Sequence, residues 1–343
     1  MVAAIIKEME KAHSSPDIVE TIYFGGGTPS LLDNHDIDSM LKTICNKFRI
    51  DDHPEITLEA NPDDITAQRL SEWRIAGINR LSIGVQSFHD ADLLWMNRAH
   101  NASQAKQAVV MAKEAGFSVS IDLIYGTPTL SDVNWQKNID TFISLQIPHL
   151  SSYALTVEPA TALDKMIRLH KKENVDMDKQ ATHFLMLTDL MVAAGFEHYE
   201  ISNFALPGFR SRHNSSYWKG IPYLGFGPSA HSFTGTKRRW NISNNTLYIS
   251  SIESGKIAFE EEDLSLTQQI NERIMISLRT SDGLELEEIE NVFSRDHKNK
   301  ILSAAEKYIA DKKVYVDGNR LILTREGKLF ADGIAGDLFF HRT

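Results

Sequence analysis

Glu20-Thr21-Ile22-Tyr23-Phe24-Gly25-Gly26-Gly27-Thr28-Pro29 passes from a β-branched and aromatic run into three glycines and a proline. The first half favours an extended strand and the second a sharp turn. The period then changes, because Ile37, Met40, Leu41, Ile44 and Phe48 recur at helical spacing. Strand, turn and amphipathic helix form one unit, and that unit repeats along roughly the first two hundred residues. Further strands are predicted over 55–60, closed by Asn61-Pro62, and over 80–85, 118–125, 150–157 and 196–201. Helices are predicted from a Thr66 cap to Gly77, over 103–115 before Gly116, over 135–145, and over 178–194 before Gly195. Ile5, Ile6, Met9 and Ala12 place a helix at the very start of the chain.

A helix between successive strands implies parallel neighbours, hence an α/β fold whose sheet twists or curls into a barrel with its active face at the strand carboxyl ends. From 204 to 245 the texture becomes aromatic and rich in glycine and proline, without helical period, and reads as a long loop of functional character. The stretch 264–337 reads as a small domain. Ile270, Ile274 and Leu278 mark one helix, Ile289, Val292 and Phe293 a second, Ala305, Tyr308 and Ile309 a third. Val314-Tyr315-Val316, Asp317-Gly318-Asn319 and Arg320-Leu321-Ile322-Leu323 then make a hairpin. Three helices and a hairpin are the parts of a winged helix. Glu285, Glu287, Glu288 and Glu290 on its middle helix would repel phosphate, which favours a packing role over DNA reading. The expected organisation is 1–203, a partial barrel; 204–263, the aromatic segment; and 264–343, the winged-helix-like domain.

Composition narrows the function. The chain has 343 residues, 42% hydrophobic and 24% charged, as a soluble globule has, and its net charge of −10 works against binding a polyanion. No run of about eighteen apolar residues is present and the first ten residues do not resemble a signal peptide, so a cytoplasmic protein is expected. Cys45 is the single cysteine. It lies beside the apolar face of its helix and is expected to be a buried structural thiol. One thiol can form neither a disulfide framework nor a thiolate-ligated cluster.

Several residues could carry chemistry. Gly25-Gly26-Gly27 either lets a ligand approach the backbone or simply makes a tight turn; the G-x-G-x-x-G spacing of a dinucleotide fingerprint is lacking. Glu59 and Asp122 lie among strand residues, where a carboxylate needs donors or a ligand that supplies them. Ribose hydroxyls would serve Glu59. Gln86 can donate and accept at once, and Arg98 could clamp a carboxylate. In the aromatic segment, Arg212-His213-Asn214, Tyr217-Trp218 and the run from Gly225 to His231 offer an imidazole fit for heme iron and flat faces for a macrocycle.

Tyr23-Phe24-Gly25-Gly26-Gly27-Thr28-Pro29, Leu58-Glu59-Ala60-Asn61-Pro62, Ser82-Ile83-Gly84-Val85-Gln86-Ser87-Phe88 and Ile121-Asp122-Leu123-Ile124-Tyr125-Gly126-Thr127-Pro128 together resemble the radical SAM proteins of the oxygen-independent coproporphyrinogen III oxidase group. Within that group, Tyr199-Glu200-Ile201-Ser202-Asn203-Phe204-Ala205 and the HNxxYW run from His213 to Trp218 resemble the HemW-type heme chaperones. The resemblance implies a partial (β/α) barrel of the TIM-like type. It also implies an S-adenosylmethionine site in which Gly26, Gly27 and Thr28 hold the amino-acid end and Glu59 the ribose. Gln86, Arg98 and Asp122 would make further polar contacts, with Ala154 beside the adenine. His213, Asn214, Tyr217 and Trp218 would bind heme, for delivery to respiratory hemoproteins. The alternative within the group is radical decarboxylation of coproporphyrinogen III in porphyrin biosynthesis, and a DNA-reading winged helix is a third possibility. Two features depart from the pattern. The family's CxxxCxxC loop, which ligates a [4Fe-4S] cluster, would precede the helix at which this chain starts, so an amino-terminal truncation is expected and the chain as written should not cleave S-adenosylmethionine reductively. Ser211 stands where many relatives have a cysteine.

Overall fold

A computed structural model describes residues 1–13 and 16–341. In chain order the elements are α1 (Val2–Lys11), β1 (Ile18–Phe24), α2 (Asn34–Lys47), β2 (Arg49–Ala60), α3 (Ala67–Ala76), β3 (Arg80–Gln86), α4 (Asp90–Trp95), α5 (Ala102–Glu114), β4 (Ser118–Tyr125), α6 (Asp132–Ser144), β5 (His149–Ala154), α7 (Ala162–Arg168), α8 (Met177–Ala193), β6 (Glu197–Glu200) and β7 (Asn203–Ala205). They continue with α9 (Arg212–Trp218), β8 (His231–Phe233), β9 (Lys237–Asn241), α10 (Asn245–Glu253), β10 (Phe259–Asp263), α11 (Leu266–Leu278), β11 (Leu284–Glu285), α12 (Leu286–Val292), α13 (Arg295–Ala310), β12 (Val314–Asp317), β13 (Arg320–Leu323) and α14 (Ala331–Asp337).

The repeating unit folds as its period dictates. Thr66 caps α3 by accepting from the Arg69 N–H, and Gly77 ends it in the left-handed region at φ 103°. Seven strands form one curled sheet in the order β1-β2-β3-β4-β5-β7-β6. β2, β3, β4 and β5 pair in parallel. The expectation of parallel neighbours to the end fails at the last step. β7 enters between β5 and β6 and is antiparallel to both. The sharp reversal after β6 uses a side chain in place of a glycine: one Glu200 carboxylate oxygen accepts from the Ser202 N–H at 3.0 Å and from Asn203 Nδ2 at 2.5 Å.

Two compact units result, and they do not follow chain order. One gathers Met1–Ile22, Leu32–Glu55 and Arg212–Thr343; the other Tyr23–Leu31 and Ile56–Ser211. In the first, α2 buries Ile37, Met40, Leu41 and Ile44. Cys45 is exposed, which corrects the expected buried thiol. One residue beyond Ile44 turns the side chain about 100° off the apolar stripe. Cys45 is therefore expected to react with a thiol reagent such as DTNB in native buffer as fast as in denaturant; a reaction that waits for unfolding would contradict this.

The segment expected as a loop is ordered. It holds α9 and a three-stranded antiparallel sheet, β10-β9-β8. Runs of like charge in Lys237-Arg238-Arg239 and Glu260-Glu261-Glu262-Asp263 conceal these strands from a hydropathy reading, but in register the two runs face one another, Arg239 opposite Glu261 and Lys237 opposite Asp263. The carboxyl-terminal helices and hairpin form as the sequence predicts, with Asp317 opposite Arg320 across the turn and β11 added at the edge of β13. Three of the four glutamates are paired with cations from this region: Glu285 with Arg320, Glu288 with Arg273, and Glu290 with Arg295 and Lys298. Among the described residues no helix is long and apolar enough to cross a membrane.

Candidate functional site

Register divides the seven-stranded sheet into two chemically different faces. Leu58, Leu81, Ile83, Val119, Ile121, Leu123, Leu150 and Phe204 share one parity and are almost wholly buried. On the other parity Glu59 lies opposite Ser82, Ser82 opposite Ser120, Asp122 opposite Ser151, and Ser151 opposite Asn203. Polar groups on this inner face bond to one another: Ser120 Oγ donates to Ser82 Oγ at 3.2 Å, and Ser151 Oγ to Asn203 Oδ1 at 3.0 Å. The sequence reading isolated Glu59 and Asp122 and missed Arg80, Ser82, Ser120, His149 and Ser151. Their signal was the period-two alternation of Arg-Leu-Ser-Ile and Ser-Val-Ser-Ile-Asp-Leu.

At the carboxyl end of β1, Gly26 and Gly27 have φ of 78° and 70°, and the positions their Cβ atoms would take are open to 4 Å. Backbone conformation demands glycine here, and nothing of the protein covers it. Glu59 binds this turn. Its Oε1 accepts from the Tyr23 hydroxyl at 2.7 Å and its Oε2 from the Gly26 N–H at 3.2 Å. Burial and the Glu59 charge push the Tyr23 hydroxyl far above its ordinary range, so it stays a donor. The half-buried Thr28 follows in the same turn, its carbonyl accepting from Leu31.

Gln86 ends β3 at a register irregularity with φ 67°, and its Nε2 lies 2.9 Å from where a Gly84 Cβ would sit. A larger residue at 84 would have to push that amide aside. Asp122 projects from the inner face of β4 with Ser82 and Ser151 as donors; desolvation and the Glu59 charge push its carboxyl up to about 7 against the opposing pull of those donors and Arg80. Arg98 is half-buried. Burial lowers its pKa while the charges of Asp63 and Asp122 work against that fall. Ala154 ends β5, where the Leu155 N–H donates to the Tyr125 carbonyl at 2.9 Å. The beginning of the next loop is held by His183, which accepts from the Gly126 N–H at 3.2 Å, and by Lys179, which donates to the carbonyls of Thr127 and Pro128. The glycine turn, Glu59 and Asp122 thus share one electrostatic neighbourhood, with Gln86 and Ala154 at adjacent strand ends.

The second candidate site lies in the other unit. α9 is only seven residues long. A carboxylate stabilises its start: Glu55 accepts from the N–H groups of Arg212 at 3.1 Å and His213 at 2.9 Å. Arg212 also donates to the His53 carbonyl at 2.8 Å. The His213 ring meets Thr21 Oγ1 through Nδ1 at 2.9 Å and the Tyr217 hydroxyl through Nε2 at 3.1 Å. Tyr217 stands edge-on to His213, and Tyr223 edge-on to Tyr217. Half-buried Asn214 is next in the helix. Trp218 lies under the guanidinium of Arg279, 5.4 Å from its ring centre, and its buried indole N–H has no acceptor among the described residues. Sequence reasoning missed Thr21 and Glu55, which reach His213 from positions 192 and 158 residues away along the chain. No local pattern carries such a signal.

The donor set separates the cofactors that fit from the one that does not. A glycine cradle open to solvent beside a carboxylate suits the polar end and ribose of S-adenosylmethionine. A [4Fe-4S] cluster needs thiolates, whereas the one thiol is exposed on α2 and no group of three His, Cys, Asp or Glu among the described residues could hold a metal.

Residues 2–142 match the Radical SAM superfamily and residues 264–330 the HemN C-terminal domain. Heme chaperone HemW of Mycobacterium tuberculosis is 33% identical over 339 residues, covering 98% of this chain and 85% of that protein. Its counterpart in Lactococcus lactis is 32% identical over 310 residues, covering 90% of this chain and 82% of that one. The structure of coproporphyrinogen III oxidase (HemN) from Escherichia coli superposes with a TM-score of 0.84 at 22% identity, over 98% of this chain and 82% of that one, and shows the shared fold. With a relative this similar along almost its whole length, the chain belongs to the HemW family of radical SAM proteins.

Proposed function

We propose that this protein is a heme chaperone that binds heme through His213, holds S-adenosylmethionine at the sheet's carboxyl edge, and passes heme to respiratory hemoproteins. The observation that carries the reading is His213 itself, an imidazole anchored at Nδ1 with Tyr217 edge-on to it and Tyr223 edge-on to Tyr217 in turn. A neutral imidazole is a normal axial ligand for heme iron, and aromatic rings and the half-buried Asn214 and Trp218 frame the macrocycle. Gly26, Gly27 and Thr28 would take the amino-acid end of S-adenosylmethionine, Glu59 the ribose, Gln86, Arg98 and Asp122 its remaining polar groups, and Ala154 the adenine. The radical SAM family implies a [4Fe-4S] cluster as well, whose chemistry is to supply an electron. The residues described offer no ligand set for it.

Heme titration tests the reading. The protein is expected to develop a Soret band that His213→Ala weakens strongly; identical spectra and affinities for the two would refute it.

A further inference from the structure

His213 has two ring nitrogens and both are occupied, one by Thr21 and one by Tyr217. A neutral imidazole carries one proton, so one of these bonds uses the ring as donor and the other uses it as acceptor. A phenol is far more acidic than an aliphatic alcohol, and the better donor belongs on the ring's lone pair. Tyr217 therefore donates to Nε2, and His213 donates its Nδ1 proton to Thr21 Oγ1.

Building on the heme-binding reading, we infer that Thr21 is a positioning residue that makes Nε2 the iron-ligating nitrogen of His213, and that the Tyr217 hydroxyl is a latch on Nε2 which arriving heme displaces. The two ends of the ring differ in ways that suit these roles. Thr21 lies within β1, a strand of a seven-stranded sheet, and so is a fixed anchor. Tyr217 is 40% exposed on a seven-residue helix and can swing away. Glu55 completes the arrangement by fixing the His213 backbone from β2. A ligating histidine that donates its other N–H to a fixed acceptor gains both orientation and basicity, and loss of such a partner typically costs about 10- to 100-fold in metal affinity.

The two hydroxyls should then act with opposite sign. Ferric heme is titrated into the full chain and read by Soret absorbance and by the g-values of the bound iron. Thr21→Val, which keeps shape and β-branching, is expected to weaken heme about tenfold and to shift the g-values, and Thr21→Ser to restore both. Tyr217→Phe keeps the ring, removes the latch, and is expected to tighten heme by up to about tenfold, the worth of one hydrogen bond. If His213→Ala abolishes the Soret band while Thr21→Val binds heme with unchanged affinity and g-values, the positioning role is overturned and the heme site stands. Weaker heme binding by Tyr217→Phe would overturn the latch. Should His213→Ala bind heme as the native chain does, the underlying reading fails, and this inference with it.

Discussion

Asp122→Asn is expected to stabilise the protein at pH 8 and to do almost nothing at pH 4. The Asp122 carboxyl is pushed from 3.8 to about 7 by desolvation and by the Glu59 charge. Around it on the inner face stand Glu59, Tyr23 and Tyr153 on the acidic side and Arg80 on the basic side. The sign follows from proton counts. Below about pH 4 the group is protonated in both folded and unfolded chains and contributes nothing. Between about 4 and 7 the unfolded chain has released its proton while the folded chain keeps it, so stability falls as pH rises; above 7 the penalty is complete. At 1.36 kcal/mol per pKa unit its ceiling is about 4 kcal/mol. Asparagine imitates the protonated form and escapes the cost. Urea unfolding at pH 4 and pH 8 should show a gap between variant and native protein that opens only at the higher pH; equal gaps at both values would mean that Asp122 does not titrate as described. If Asp122 contacts S-adenosylmethionine as proposed, the same substitution should weaken that ligand, a gain in stability made at the expense of function.

Glu8→Ala should be the most damaging single change in the other unit. Glu8 is 2% exposed. Its Oε2 accepts from the Gly227 N–H at 2.9 Å and the Tyr248 hydroxyl at 2.5 Å, its Oε1 from Asn241 Nδ2 at 2.7 Å, and Arg239 lies 3.8 Å away. Removing the carboxylate strands three donors and leaves a cavity where α1 meets the cluster of Ala4, Tyr248 and Ile252. A buried donor without its partner costs about 1–3 kcal/mol. Breaking a buried charged network by removing one member costs about 3–5 kcal/mol, which is the expected loss here. Glu10→Ala, two residues along the same helix and exposed, serves as the control with an expected change within about 0.5 kcal/mol. Chemical denaturation followed by tryptophan fluorescence distinguishes the two, and equal midpoints would remove Glu8 from the account of stability.

Glu8 also shows where sequence reading stops. Spacing of Ile5, Ile6, Met9 and Ala12 located α1 correctly, yet the residues buried are Ala4, Glu8 and Met9. A glutamate in an amphipathic helix reads as solvent-facing, and only its three distant donors make burial affordable. Cys45 errs in the opposite direction, for it borders an apolar stripe and still faces water. The strands β9 and β10 escaped because their runs of like charge carry no apolar alternation, and the opposite charges that face them across the ladder lie on another stretch of chain. β7 escaped because Glu200 makes the turn that glycine usually makes.

Local chemistry therefore determined the repeating unit of strand, turn and helix, the glycine turn, the caps and the carboxyl-terminal hairpin, since each depends on residues within one or two turns of chain. Glu59, Asp122 and His213 were legible as exceptions to their surroundings, a charge among strand residues or an imidazole among aromatics. Tertiary structure alone decided what each one meets. It set Glu59 on the Gly26 N–H, raised the Asp122 carboxyl through desolvation and a like charge, and brought Thr21 to the ring and Glu55 to the backbone N–H of His213. The physical reason is range: backbone conformation is set by neighbours in sequence, whereas desolvation, charge and hydrogen bonding act between neighbours in space.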